Sequence, residues 1–383
     1  MRFSKLTGLF CLLGLMTQNA QASLPFDTKA KYAYLIDFDT GYVMFDKNGQ
    51  ERMSPSSMSK LMTTYLIFEK LKNGGLSEED EFQVSSNAWR KGGAKSGSST
   101  MFLNPNTKVK VKDLLKGIIV QSGNDACIVA AENIAGSEEQ FAEEMTIRGK
   151  ELGLKNSSFK NATGIPEKGH EMTAEDLAHL SSLIIRNFPE YYPLYSEKSF
   201  TYNKIKQGNR NPILYSMPGA DGIKTGHTKQ AGYGLAASVK DKDTGRRLIA
   251  VLNGLPSMKA RSDEAKSLLN WGFREFDNYK LSEEGKKIDA LPVWLGQEEF
   301  VDAVTDKDIL ITMPRKYRNE IKATLFYDGP IAAPVKKGQK IATLKITVPN
   351  DESYMYDLVA AKDVNKVGYF GKLLFAFHRL FSF

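Results

Sequence analysis

Apolar residues recur at steps of three and four over 57–72, 112–120, 124–135, 138–152 and 173–187, with strand-type runs on both sides of that block. Before it, Tyr34 to Phe38 and Tyr42 to Phe45 flank an Asp39-Thr40-Gly41 turn. After it, Gly222 to Val239 and Arg247 to Leu252 read as strands joined through polar Lys240 to Arg246. Ser262 to Phe276 then reads as a helix with Ala265, Leu268, Leu269 and Phe273 on its apolar side. Strands bracketing helices imply an α/β (α+β) domain with an antiparallel sheet and a helical region, here residues 23–280. Past Asn278 the texture changes. Pro292 to Leu295, Ile309 to Met313, Lys322 to Phe326 and Lys340 to Val348 are short β-type runs separated by turn signals. They predict a small all-β, sandwich-like domain over 285–350.

The two ends differ from this body. Arg2 and Lys5 precede an apolar stretch from Leu6 to Met16, and Ala20-Gln21-Ala22 is a small-x-small pattern. Residues 1–22 read as a signal peptide for export, too short in apolar length for the ~20 residues of a span. Its removal lowers the net charge from +7 to +5 and takes away Cys11, one of two cysteines. Cys127 is then alone, in a helical run that suits packing. At the other end, the segment 353–383 is expected to form an amphipathic anchor helix. Val364, Val367, Phe370, Leu374, Phe377 and Phe381 make an apolar stripe, interrupted by Lys366, Lys372, His378 and Arg379. Such a helix lies in a membrane interface with its basic side toward the headgroups. The alternative is a helix docked on its own protein.

Three short motifs carry chemistry. Ser57-Met58-Ser59-Lys60 opens an apolar-periodic helix, which puts Ser57 and Lys60 on one face, one turn apart. A nucleophile at a helix start has unpaired N–H groups beside it as oxyanion donors. Lys60 can act as base only when neutral. Bringing a lysine from about 10.4 to about 7 costs roughly 4.6 kcal/mol, within reach of full burial beside a second cation. Ser122-Gly123-Asn124 falls in a turn between two helical runs, so its hydroxyl and amide can share one cleft. Lys224-Thr225-Gly226-His227-Thr228 lies on a strand. There Lys224 is a fixed cation, Gly226 admits close approach of a substrate backbone, and Thr225 and Thr228 offer hydroxyls. Look-alikes exist at Ser157/Lys160, Ser85-Ser86-Asn87 and Lys95-Ser96-Gly97, none on the element type required. The ordered set is the trio of serine acyl transferases that react with penicillin.

On these motifs the chain resembles the low-molecular-mass penicillin-binding proteins, the D-alanyl-D-alanine carboxypeptidases. Gly232-Tyr233-Gly234-Leu235, Leu268-Leu269-Asn270-Trp271-Gly272-Phe273 and the run Asn161-Ala162-Thr163-Gly164-Ile165 with His170 add to the likeness. The resemblance implies a β-lactamase/transpeptidase-like fold, a peptidoglycan stem peptide as substrate and β-lactam antibiotics as covalent inhibitors. It implies Ser57 as nucleophile, Lys60 as its base and Ser122, polarised by Lys224, as proton donor to the leaving D-alanine. Asn124 would position the substrate and Lys60. Thr225, Gly226, His227 and Thr228 would bind substrate, and the Ser57 and His227 amides would hold the oxyanion. Arg261 matches the residue for the terminal carboxylate, with Arg210 as the alternative and surface exposure as the ordinary expectation for a helical arginine. His170 is expected to pack a loop. The location implied is the periplasm, on the outer face of the cytoplasmic membrane.

No cofactor or metal is expected, because His170, His179, His227 and His378 show no ligand spacing. No phosphate-cradling loop and no nucleic-acid motif accompanies the basic charge. A serine β-lactamase is the nearest rival. Its deacylating Glu would be sought at Glu151-Leu152-Gly153-Leu154-Lys155, where Lys stands in place of Asn. A transpeptidase or endopeptidase would use the same residues, and a silent envelope scaffold would not need them intact.

Overall fold

The structure is a computed structural model that describes residues 25–369 and 371. The expected signal peptide lies outside the described residues, as do 370 and 372–383 of the expected anchor. The chain divides into two units. One comprises Pro25–Glu283 with Asp308–Lys316, and the other holds Glu284–Lys307 and Tyr317 onward.

The first unit is built on an antiparallel five-stranded sheet. Its strands are β1 (Tyr32–Asp37), β2 (Val43–Lys47), β3 (Ala220–Thr228), β4 (Gly232–Lys240) and β5 (Arg247–Leu255), in spatial order β2-β1-β5-β4-β3. Leu248 to Leu252 are fully buried, as a strand covered on both faces must be. Ile249 and Val251 join the helical core, whereas Leu248 meets the helix α6 (Met258–Glu275) at Gly272, where a Cβ would stand 2.9 Å from its Cδ1. The other helices longer than two turns are α1 (Lys60–Lys72), α2 (Val111–Ile119), α3 (Asn124–Ala135), α4 (Glu138–Glu151) and α5 (Ala174–Asn187). Ser137, Thr173 and Ser257 cap α4, α5 and α6, each accepting from the amide three residues on. Helix α1 is buried on nearly every side, with Leu61, Tyr65 and Phe68 in the core.

Several boundaries differ from the sequence reading. Residues 222–239 are not one strand but the β3–β4 hairpin, turning at Lys229 to Ala231. The run Ile309–Pro314 pairs with Phe276–Ser282 and belongs to the first unit, so 280 is no clean boundary. The second unit contains a six-stranded sheet in the order Lys322–Phe326, Lys340–Thr347, Ser353–Ala360, Phe300–Thr305, Lys287–Trp294, Ile331–Ala332. Ser353–Ala360, expected at the start of the terminal helix, is thus a strand. Its inward residues Tyr354, Tyr356, Leu358 and Ala360 alternate with period two. Val364 is buried and bridges Val335, and Lys366 bridges Gly296, so the first residue of the expected stripe and the first basic residue interrupting it serve the sheet domain. Among the described residues, no helix is long and apolar enough to cross a membrane.

Candidate active site

The three motifs converge in the first unit. Ser57 sits in a 3-10 turn, Ser56–Ser59, that runs directly into α1. The turn packs on the hairpin over two glycines. A Cβ on Gly226 would stand 2.9 Å from the Pro55 carbonyl oxygen and 3.1 Å from Ser56 Cβ. A Cβ on Gly234 would stand 2.6 Å from Met58 Cε. The bare Gly226 backbone thus makes room for the Ser56–Ser59 turn. Ser56 and Ser122 both hold left-handed backbone, with φ of 51° and 60°, which L residues adopt at a cost of about 1–3 kcal/mol. Gly164, at φ 81°, lies against the first of them, where a Cβ would fall 2.1 Å from the Ser56 oxygen.

Lys60 is fully buried, and its ammonium donates to three acceptors. These are Ser57 Oγ at 2.9 Å, Asn124 Oδ1 at 2.7 Å and the Thr163 carbonyl. Burial lowers its pKa from 10.5 to about 8, and the Arg210 charge acts in the same direction. Two of the three acceptors are carbonyl-type oxygens, which cannot donate. When Lys60 loses a proton, its two remaining N–H groups stay with them, and its lone pair faces the Ser57 hydroxyl. The second lysine, Lys224, donates to Ser122 Oγ at 2.9 Å and to the Thr225 carbonyl at 3.2 Å. Burial holds it well below the usual lysine range, with the Lys60 and Arg210 charges adding to the effect.

The loop that presents Ser122 and Asn124 is anchored by a residue that sequence reasoning passed over. Asp125 is fully buried and accepts from Thr100 Oγ1 at 2.6 Å and from the amides of Met101, Leu103 and Ala126 at 2.9, 3.1 and 3.0 Å. Ser99 closes the same loop, since its carbonyl accepts from the Asn124 amide at 2.7 Å. Thr163 is the other omission. Asn161 Oδ1 fixes it by accepting from the Thr163 and Gly164 amides at 3.2 and 2.8 Å. The Asn161-Ala162-Thr163-Gly164 run was the only signal for it.

The hairpin residues separate into two groups. Thr225 is buried beside Lys224. Thr228 Oγ1 accepts from the Ala231 amide at 3.0 Å and so helps close the turn. His227 is exposed, and its ring stacks on Tyr233 at 3.9 Å. Arg261 is not a surface residue. It is 6% exposed, lies 5.8 Å over the Tyr233 ring and donates from Nη2 to the Arg210 carbonyl at 3.3 Å. Its buried Nε has no partner, and burial pulls its pKa down to about 10. Arg210 in turn donates to Ser99 Oγ at 2.5 Å.

The remaining candidates are structural. Ser157 bonds Asp176 at 2.7 Å, and Ser85 caps a short helix through the Ala88 amide. His170 is buried edge-on to Phe159, and its Nδ1 accepts from the Lys160 amide at 3.1 Å. Cys127 is buried, and desolvation pushes its thiol up to about 12. Among the described residues, no cluster of His, Cys, Asp or Glu could hold a metal ion.

Comparison with known proteins agrees with this geometry. The family described as D-alanyl-D-alanine carboxypeptidase matches residues 17–256, and the penicillin-binding protein 5 C-terminal domain matches 276–366. The chain is 39% identical to D-alanyl-D-alanine carboxypeptidase DacA of Haemophilus influenzae, over 88% of this chain and 86% of that one. It is 37% identical to DacA of Escherichia coli K12, over 89% and 85%. The crystal structure of penicillin-binding protein 5 from Haemophilus influenzae superposes with a TM-score of 0.80 at 38% identity, covering 90% of this chain and 99% of that one. Penicillin-binding protein D2 of Listeria monocytogenes, solved in the ampicillin-bound form, matches 66% of this chain at 27% identity with a TM-score of 0.56. With its buried lysine beside the serine, its second lysine–serine pair and these likenesses over both units, this chain belongs to the D-alanyl-D-alanine carboxypeptidase family of penicillin-binding proteins.

Proposed function

We propose that the protein is a serine-type D-alanyl-D-alanine carboxypeptidase that removes the terminal D-alanine from peptidoglycan stem pentapeptides. The observation that carries this reading is the Lys60 amine, whose lone pair is left to Ser57 by two fixed carbonyl acceptors. Neutral Lys60 takes the Ser57 proton as Oγ attacks the carbonyl between the two D-alanines. The Ser57 and His227 amides stabilise the oxyanion. Ser122 passes its proton to the leaving amine and regains one from Lys224, which donates to its Oγ. Thr225, Arg261 and Arg210 supply the polar and cationic surroundings for the terminal carboxylate. Water then releases the acyl-enzyme. A β-lactam follows the same first step and stays bound. Labelling with a fluorescent penicillin, together with D-alanine release from a pentapeptide, tests the assignment. Both should occur in the wild type and vanish in Ser57→Ala, and label that survives in Ser57→Ala would overturn it.

The lactamase alternative is disfavoured by Glu151, which is exposed at the end of α4 and bonds Arg148 at 2.7 Å. Transpeptidation and endopeptidation use the same residues and differ only in acceptor or bond.

The export leader and terminal stripe support a periplasmic location, with the protein held peripherally on the outer face of the cytoplasmic membrane. Because Ser353–Ala360 belongs to a sheet, the anchor is tested by truncation after Gly371. That change should free the protein from membranes while leaving penicillin labelling intact. A truncated protein that still sediments with membranes would remove the anchor from the proposal.

A further inference from the structure

Arg261 is an unusual guanidinium. It is buried, forms no ion pair among the described residues, leaves Nε unpartnered and makes one side-chain hydrogen bond, 3.3 Å long. A second cation, Arg210, adds repulsion to the burial that lowers its pKa. Something has to hold this side chain in place before any anion arrives, and the contact available is the ring of Tyr233, 5.8 Å from the guanidinium carbon.

Tyr233 is itself held rigidly. It lies between two glycines that admit no side chain. A Cβ on Gly232 would meet the Leu255 oxygen at 2.8 Å, and one on Gly234 would meet Asn253 Oδ1 and Met58 Cε at 2.6 Å. Met58 is the residue after the nucleophile. Across the hairpin Tyr233 registers with His227, and their rings stack at 3.9 Å and 28°. Its hydroxyl has no hydrogen-bond partner among the described residues, and its contacts with His227 and Arg261 are ring contacts. One aromatic ring therefore touches both His227 and Arg261 and is fixed in register with the Ser57 turn.

We propose that Tyr233 is a positioning residue. Its ring face holds Arg261 ready for the substrate's terminal carboxylate and so sets the preference for a free C-terminal acid. The inference rests on the carboxypeptidase reading above. It requires that losing the ring weakens recognition of the acid specifically, and that losing the hydroxyl does not.

The test compares kcat/KM for an N-acylated peptide ending in two D-alanines with that for its C-terminal amide. Tyr233→Leu should lower the acid-over-amide preference by about tenfold, the scale of a desolvated cation–π contact. The change should fall on the acid alone. Tyr233→Phe should stay within about twofold of wild type. Arg261→Gln should lose the preference, and adding Tyr233→Leu to it should cost nothing more. Equal losses on both peptides, or additive losses in the double variant, would overturn the proposal. If the Leu variant is insoluble, Tyr233→Thr keeps a strand former and replaces it. The Phe variant also decides independently, because loss of the preference with the ring retained refutes a role for the ring face. A wild type that releases no D-alanine from the acid would instead sink the carboxypeptidase reading, which keeps the two failures apart.

Discussion

Placing a carboxylate beside Lys60 should switch off its chemistry without removing it. Asn124 Oδ1 accepts from Lys60 Nζ at 2.7 Å, so Asn124→Asp puts a negative charge there with almost no change of shape. At a pKa of about 8, roughly one Lys60 in ten is neutral at pH 7. An opposite charge this close raises an amine by about 1–3 pH units, to roughly 9–11. The neutral fraction at pH 7 then drops to between about one in a hundred and about one in ten thousand. Penicillin acylation of Ser57, measured as a second-order labelling rate from pH 6 to 9.5, should fall at least about tenfold at pH 7. Its inflection should move from about 8 to above 9. The direction is fixed by the role: a base works when deprotonated, so the rate climbs with pH through the lysine pKa. Asn124→Ala serves as the control. It removes the acceptor and slows acylation through positioning, but adds no charge, so its inflection stays at or below about 8. An Asp variant that keeps the wild-type inflection, or a wild-type profile flat from pH 6 to 9, would refute neutral Lys60 as the base.

Two further substitutions separate site from scaffold. Gly226→Ala should cost about 1–3 kcal/mol by overpacking and slow penicillin labelling as well. The new methyl would push on Pro55 and Ser56 beside Ser57, and urea denaturation with labelling kinetics reads both. Asp37→Ala leaves buried Arg246 without the carboxylate it bonds at 2.8 Å, so a loss of about 3–5 kcal/mol in urea is expected. The labelling rate of its folded fraction should match wild type, because this pair lies among Asp39, Thr40 and Asn278 rather than at the serine.

Side-chain periodicity made the helices legible. Helices α2 to α5 fall within a residue of the apolar stripes and α1 starts three residues into its own, after the 3-10 turn, because burial of one face is what the stripe records. The β3–β4 hairpin was read as one strand because its turn, Lys229-Gln230-Ala231, carries no Asn-Gly or Asp-Gly signal. Lysine, serine and asparagine chemistry at fixed spacing is readable too, and three hydrogen bonds link Lys60 to Ser57 and Asn124, and Lys224 to Ser122. The Thr163 carbonyl was not readable, because every residue has one and only the fold selects which of them meets Lys60. Arg261 was hidden for a related reason. A helical arginine ordinarily faces solvent, and its burial depends on Tyr233 and Arg210, distant in sequence and brought together by the hairpin and α6.

The electrostatics of the site follow from what it lacks. Arg210 lowers the pKa values of Lys60, Lys224 and Arg261, Lys60 and Arg261 lower that of Lys224 as well, and among the described residues none of the four forms an ion pair. Asp125 is a buried carboxylate whose charge acts on Lys60, but both its oxygens are spent on Thr100 and on the amides of Met101, Leu103 and Ala126. Folding therefore buries Lys60, Lys224 and Arg261 without an ion-pair partner among the described residues, a costly arrangement. In the proposed reaction that cost serves two ends. It keeps Lys60 near neutrality, which makes it a base at physiological pH, and it gives a substrate carboxylate more to gain here than in water. A neighbouring acid that neutralised the cluster would weaken both effects together. A base and an anion site can thus share one small volume, provided the anion binds through Lys224 and the arginines and the Lys60 lone pair is left to Ser57.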